Sequence, residues 1–400
     1  MVIVKKIGYD AKRIVRNGTG LGSYGRTLVN DLAALEEFDL RLYAPDKGRD
    51  DLQQQVPERE NLHFCYPSAN TIIPSFSQTS IGKAIWRSWG VTKQLRRDDI
   101  QLYHGLSGEL PIGISRSGIR SVVTIHDLIF LRHPEYYNPL DVWIYTRKLR
   151  QTLREADCIV AISECTRRDI IELGHVDPSR IQLIYQSCAP RFSDAMNNAP
   201  LDRKTTSRQL QVGNGTLVQQ YQLPQRYVLS VGSIEERKNI GLAVDALTYL
   251  PEDICLVAVG RQTKYARRVL EKAAHKGLTH RVRFLSGVPD EDLPAIYQQA
   301  ETFVYPSRYE GFGIPIIEAI GCHLPVVACT GSCLEEAGGP DSLYVSPDDA
   351  EALAAAIRQT LRGAEGREQR ISRSREYIRR FEGHDVARQM ADLYRELMKN

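Results

Sequence analysis

The chain has 400 residues, 42% apolar, 8% aromatic and 25% charged, enough for two or three domains each with its own core. Its 52 basic and 49 acidic residues leave an excess of only +3, which excludes a nucleic-acid binder working through bulk charge. The amino terminus lacks a signal-peptide core, and no window approaches the ~20 apolar residues of a membrane span, so a soluble cytoplasmic protein is expected, attached at most to a membrane surface.

A short strand is expected over Val2–Tyr9, then a glycine-rich loop from Asn17 to Gly25 and a helix over Ser23–Leu35, where Leu28, Leu32 and Leu35 recur at helical spacing. Leu40–Ala44 reads as the next strand and the polar stretch Asp46–Glu60 as a loop. Further strands follow at Leu102–His104, Ser121–Ile125, Cys158–Ile162 and Ile181–Tyr185. Helices lie between them, near Asp141–Glu155 and from Ser163, a plausible N-cap. Residues 196–216 have no sustained period and read as a linker between a first domain (1–195) and a second (217–383). The second series alternates strands at Tyr227–Val231, Ile254–Val259, Val282–Ser286, Thr302–Tyr305 and Val326–Cys329 with helices at 239–249, 265–276, 291–299 and 315–322. Helical patterns continue over 348–362, 364–380 and 384–397. This alternation is that of an α/β protein built on mainly parallel sheets, and the second half resembles a doubly wound nucleotide-binding domain. Eight cysteines without a CxxC pair, several in apolar runs, read as reduced core thiols, not zinc ligands.

Four segments carry the chemistry. In Pro306-Ser-Arg-Tyr-Glu-Gly-Phe-Gly-Ile-Pro-Ile-Ile-Glu318, glycines permit close backbone approach and a helix opens near Pro315. The amides of that helix start suit phosphate or sugar oxygens, and Glu310 and Glu318 can accept from several hydroxyls of one ligand. On spacing alone, a tight turn with two solvated glutamates accounts for it at least as well. Arg237 and Lys238 follow a strand ending at Gly232. Alone they are an ordinary charged surface, yet a diphosphate needs such cations, and arginine offers a fork that lysine does not. Gly20, Gly22 and Gly25 form a GxGxxG turn that by itself is weak evidence for a dinucleotide. His126 ends a strand, where a lone histidine is ordinarily a satisfied structural residue.

Jointly these segments resemble the E-x7-E retaining glycosyltransferases of the GT-B architecture, specifically family 4 with its bacterial mannosyltransferases, and the resemblance covers nearly the whole chain. It implies two Rossmann-like domains facing across a cleft, with a carboxy-terminal helix (384–400) packed back on the first domain. It implies that Glu310 and the backbone of Phe312, Gly313 and Ile314 meet the donor sugar, that Glu318 meets the ribose, and that Arg237 and Lys238 hold the diphosphate. Gly20 and Gly22 would close over the diphosphate and reacting sugar, and His126 would lie near that sugar. Asp127, Tyr24, Arg26 and the His104-Gly105 strand end are ranked lower, with His104 expected to line an acceptor pocket; Ser163 and Glu164 are expected to be structural and Arg261 a nucleotide neighbour. The tryptophan that the family places before its last helix is replaced around Phe381-Glu-Gly-His384.

The implied reaction moves a hexose with retention, by same-face attack and with the donor phosphate taking the acceptor proton, and requires no metal or other cofactor. GDP-mannose is the preferred donor, UDP-glucose a rival, and the acceptor a saccharide or lipid-linked saccharide. A non-catalytic nucleotide-sugar-binding module is the alternative of a different class; a phosphorylase-like enzyme lacks its pyridoxal context. Basic and aromatic residues alternate over 80–100, with Trp86 and Trp89. They serve either a helix packed inward or peripheral contact with anionic lipid at the inner face of the cytoplasmic membrane.

Overall fold

Two all-parallel sheets organise the computed structural model, which describes residues 4–67, 79–189, 192, 211–212 and 215–399. The chain divides into two units, residues 1–189 with 381–400, and residues 190–380. In unit 1 the strands are β1 (Lys5–Asp10), β2 (Phe38–Tyr43), β3 (Leu62–Cys65), β4 (Leu102–Gly105), β5 (Arg120–Ile125), β6 (Cys158–Ala161) and β7 (Ile181–Leu183), in the order β3-β2-β1-β4-β5-β6-β7. In unit 2, after a two-residue ladder of β8 (Gln211–Val212) with β9 (Gly215–Thr216), come β10 (Tyr227–Val231), β11 (Cys255–Val259), β12 (Val282–Leu285), β13 (Thr302–Tyr305), β14 (Val326–Cys329) and β15 (Leu343–Val345). Their order is β12-β11-β10-β13-β14-β15. Both sheets reverse direction of growth once, between β1 and β4 and between β10 and β13, which makes each unit Rossmann-like and fixes where a ligand crevice forms.

Side chains alternate across each strand, so both faces are apolar and both must be covered. In unit 1, Leu102, Val122 and Val160 point to the helix Gly20–Ala34 and the terminal helix Gly383–Leu397. Their neighbours Tyr103, Val123 and Ile159 point to the opposite core with Trp86, Val91 and Leu95. The terminal helix buries Val386, Ala387, Met390, Ala391 and Tyr394 in unit 1, and Phe381 just before it packs edge-on to Tyr185 at 5.1 Å.

Several expectations change. The glycine-rich segment is not a loop through Gly25: the helix already starts at Gly20, with Thr19 at its N-cap and the Asn17 side-chain oxygen accepting from the Thr19 and Gly22 amides. The 46–60 stretch contains a short helix, Asp50–Gln53. Strands β3 and β15 escaped the sequence reading because both are sheet edges, only four and three residues long and half-exposed. Over 80–97 the two tryptophans part: Trp86 is wholly buried, whereas Trp89 keeps 54% of its surface exposed. The stretch expected as a linker, 196–216, lies largely outside the described residues. All eight cysteines are thiols outside any disulfide, and no helix among the described residues is long and apolar enough to cross a membrane.

Candidate functional site

In unit 2 the chain leaves β10 at Val231 and makes a tight turn over Glu236–Lys238. It enters the next helix through Asn239, whose left-handed φ of 55° is one that asparagine tolerates, and whose side-chain amide donates to the Pro347 carbonyl. The chain leaves β13 at Tyr305, passes Pro306–Phe312, and enters the helix Ile314–Gly321 through Gly313. Gly313 has φ 154° and would press a Cβ to 2.9 Å from that of Ala337, so only glycine fits there. The Arg308 amide donates to the Arg237 carbonyl at 2.9 Å and ties the two loops together. They meet at the carboxyl ends of β10 and β13, the switch point of the sheet.

Three side chains converge there. The Arg237 guanidinium lies 2.7 Å from one Glu310 oxygen and the Lys238 ammonium 2.6 Å from the other. Arg237 also donates to the Tyr309 carbonyl and pairs with Glu235, while Lys238 donates to the Tyr305 hydroxyl and lies 4.8 Å from the centroid of that ring. Burial pushes the Glu310 carboxyl up, but Lys238 and Arg237 outweigh it and hold its pKa at about 2. Burial likewise disfavours the charged guanidinium, and Glu310 more than compensates. Two cations and two carboxylates thus balance in a nearly buried cluster, and an anionic ligand can enter only by exchanging partners with it. Glu318, one turn into the helix, is almost fully buried and accepts from the Tyr297 hydroxyl at 3.0 Å. Behind the loop, the buried Cys333 thiol donates to the carbonyls of Glu310 and Phe312. Arg261 is exposed, and its carbonyl accepts from the Ile234 amide.

In unit 1 two glycines act differently. A Cβ on Gly22 would stand 1.8 Å from the Asn17 carbonyl oxygen, so Gly22 is required by the helix start itself; Gly20 has nothing within 4 Å and faces open space. Arg26 is buried and donates to the Ile14 and Asn17 carbonyls, so it braces this loop. His126 keeps partial exposure, yet both ring nitrogens are engaged: Nε2 donates to the Leu106 carbonyl at 2.8 Å and Nδ1 accepts from the Gln186 amide at 2.7 Å. Burial lowers its pKa to about 4. The ring is therefore neutral and has no lone pair to spare for a proton. The Asp127 carboxylate accepts from the Ile129 amide at the start of the helix Ile129–Arg132, and Ser163 caps the helix Glu164–Gly174 by accepting from the Thr166 amide.

His104, expected to line an acceptor pocket, does not: it has no exposed surface, and both its nitrogens are bonded within the core. Tyr24 is likewise buried, its hydroxyl on Thr124. Sequence reasoning missed Tyr305, Glu235, Cys333 and Gln186. Tyr305 alone carried a signal, as the last strand residue before Pro306.

Two family models match. "Glycosyl transferases group 1" covers residues 218–377 and "Glycosyltransferase Family 4" covers residues 18–187. The chain is 31% identical to O-antigen chain mannosyltransferase B of Escherichia coli, across 95% of this chain and 96% of the relative. It is 27% identical to O-antigen chain mannosyltransferase RfbU of Salmonella typhimurium, across 93% and 95%. Among solved structures, the Anabaena protein HepE in complex with UDP and glucose superposes with a TM-score of 0.72 at 18% identity, across 98% of this chain and 100% of that one.

Proposed function

This chain belongs to the group 1, family 4 glycosyltransferases, hexosyltransferases of the GT-B fold class, and from that premise we propose that it moves a mannosyl group from GDP-mannose to a hydroxyl of a saccharide or lipid-linked saccharide acceptor, with retention. The choice of mannose rests on the 31% identity to an O-antigen mannosyltransferase along almost the whole chain. The residue assignment rests on one observation: Arg237, Lys238 and Glu310 form a cluster at the switch point of unit 2.

A donor diphosphate brings its own negative charge to Arg237 and Lys238. The exchange frees the Glu310 carboxylate to accept from sugar hydroxyls, with the backbone of Phe312, Gly313 and Ile314 beside it and Glu318 on the ribose. The acceptor oxygen bonds to the anomeric carbon as the bond from that carbon to the phosphate oxygen breaks. The acceptor proton passes to the departing phosphate, and the two cations stabilise the charge that develops there. No metal and no protein base enters this scheme. His126 and the Gly20–Gly22 segment of unit 1 contribute position, since the His126 nitrogens are already engaged.

Peripheral contact with anionic lipid on the cytoplasmic side belongs to the same proposal. It is supported by Trp89 and Ile81, which are 54% and 65% exposed beside Lys83, Lys93 and Arg96. Co-sedimentation with vesicles of anionic phospholipid checks it; recovery of all protein in the supernatant refutes the membrane arm alone.

The reaction is tested by offering GDP-mannose, UDP-glucose and an ADP-sugar with simple and lipid-linked saccharides, then following nucleotide release and glycan mass. GDP release coupled to a product heavier by one hexosyl unit is expected. UDP release instead moves the donor assignment, and tight donor binding without product on any acceptor favours a binding module.

A further inference from the structure

Unit 1 carries a polar path through otherwise apolar core. His104, at the end of β4, has its Nδ1 2.6 Å from the Tyr394 hydroxyl of the terminal helix and its Nε2 2.8 Å from Thr124 Oγ1 on β5. Thr124 Oγ1 is in turn 3.0 Å from the hydroxyl of Tyr24 on the glycine helix. Ring contacts run alongside: the Tyr9 ring lies 6.0 Å from that of His104 and 6.4 Å from that of Tyr394. Tyr24 stands edge-on to the His126 ring at 4.8 Å.

The path follows from strand geometry. His104 lies two residues after Leu102, and Thr124 two after Val122, so both point to the face covered by the glycine helix and the terminal helix. A neutral imidazole supplies one N–H and one lone pair, so its two hydroxyl partners are held in opposite senses. Removing either hydroxyl strands the rest of the path in apolar surroundings. Apolar side chains would fill the same space without that penalty, so packing alone does not account for four polar groups there. What the path adds is direction. It begins on the last helix of the chain and ends on Tyr24, four residues into the helix that opens at Gly20, against the ring of His126.

We propose that His104 and Tyr394 are positioning residues for transfer: their relay seats Tyr24, and through it the glycine helix and the His126 ring, against the terminal helix. This rests on the reading above that the Gly20–Gly22 segment and His126 take part in the reaction.

Tyr394→Phe and Thr124→Val, in the full chain, each delete one hydroxyl and keep the shape. Assayed well below the thermal midpoint, each is expected to lower kcat about five- to twentyfold, the effect of one buried hydrogen bond or two. KM for the nucleotide sugar is expected to stay within about twofold. Because both variants cut the same path, the double variant is expected to fall no further than the worse single one. A merely structural role predicts a lower midpoint with kcat unchanged, and that result, or multiplicative losses in the double variant, overturns the proposal. Gly20→Val separates the two levels, since it has open space around it. Full activity in both Gly20→Val and Tyr394→Phe removes the underlying reading of unit 1, whereas loss in Gly20→Val alone removes only the relay.

Discussion

The ends of β10 and β13 in unit 2 and the ends of β4 and β5 in unit 1 differ in chemistry. At the ends of β10 and β13, Arg237, Lys238, Glu310 and Glu235 form a cluster of full charges. At the ends of β4 and β5, one strand along from the switch point of unit 1, where Arg87 pairs with Asp10 and Glu109, the polar groups are His104, Thr124, Tyr24, His126 and Gln186, held by neutral hydrogen bonds. An ion cluster can exchange partners, since a diphosphate brings its own charge and can take the cations from a carboxylate. A neutral network is directional, and losing one member leaves its neighbours unsatisfied, so it suits fixing geometry. Topology placed both sites, and the side chains at and after each strand end decided which kind each became.

The largest test of this contrast is at Glu310. Glu310→Gln is expected to lower turnover at least a hundredfold, in the range of lost transition-state contacts, while nucleoside-diphosphate binding tightens severalfold because a competing carboxylate is gone. Arg237→Ala is expected to weaken the same binding by about ten- to a hundredfold, the ~1.5–3 kcal/mol of a charge-assisted contact. Titration calorimetry with GDP and UDP reads both. Weaker binding in Glu310→Gln would show that the carboxylate supports the ligand rather than competes with it.

The glycines of unit 1 come next. Gly22→Ala meets the Asn17 carbonyl at 1.8 Å and is expected to cost about 1–3 kcal/mol of stability, read as a lower thermal midpoint. Gly20→Val, with open space around it, should keep that midpoint and lose turnover about tenfold, a loss of ~1.4 kcal/mol. Equal midpoints for the two would remove the structural distinction between them.

Acid should then separate the units. The His104 and His126 rings titrate near 6.5 when free but at about 3 and about 4 in the fold, because burial disfavours their charged forms. Between those values the unfolded chain holds more protons, so their contribution is complete above pH 6.5 and is lost as pH falls. Asp31 works the other way over a narrower span, raised by burial from 3.8 to about 6. In unit 2, Glu310 is held at about 2 against an ordinary 4.5, so its contribution is lost only below pH 4.5. All three tryptophans, at 86, 89 and 143, lie in unit 1 and make fluorescence its reporter. Between about pH 7.5 and 5.5 the fluorescence midpoint is expected to drop by several degrees, ahead of the far-UV dichroism signal from both units. Coincident midpoints at the lower pH would erase the contrast.

The smallest effect is expected at His126. With both nitrogens engaged, His126→Asn should lower kcat less than tenfold and leave the acid limb of the pH–rate profile in place. Disappearance of that limb would make the imidazole a proton acceptor after all.

The sequence by itself determined the alternation of strands and helices, the glycines at strand ends, and the placing of Glu310 and Glu318 on a turn entering a helix. These follow from side-chain period and backbone freedom, which act over a few neighbouring residues. Only the tertiary structure decided that Arg237 reaches the 309–310 turn from 72 residues away, that Gln186 occupies the second nitrogen of His126 from 60 residues away, and that Tyr394 closes on His104 across 290. It also turned His104 from an expected pocket residue into a core one and supplied the edge strands β3 and β15. The reason is the same in each case. Which strand ends become neighbours is set by the order of the sheet and by the two apolar faces it must cover, and no local pattern in the chain records that order.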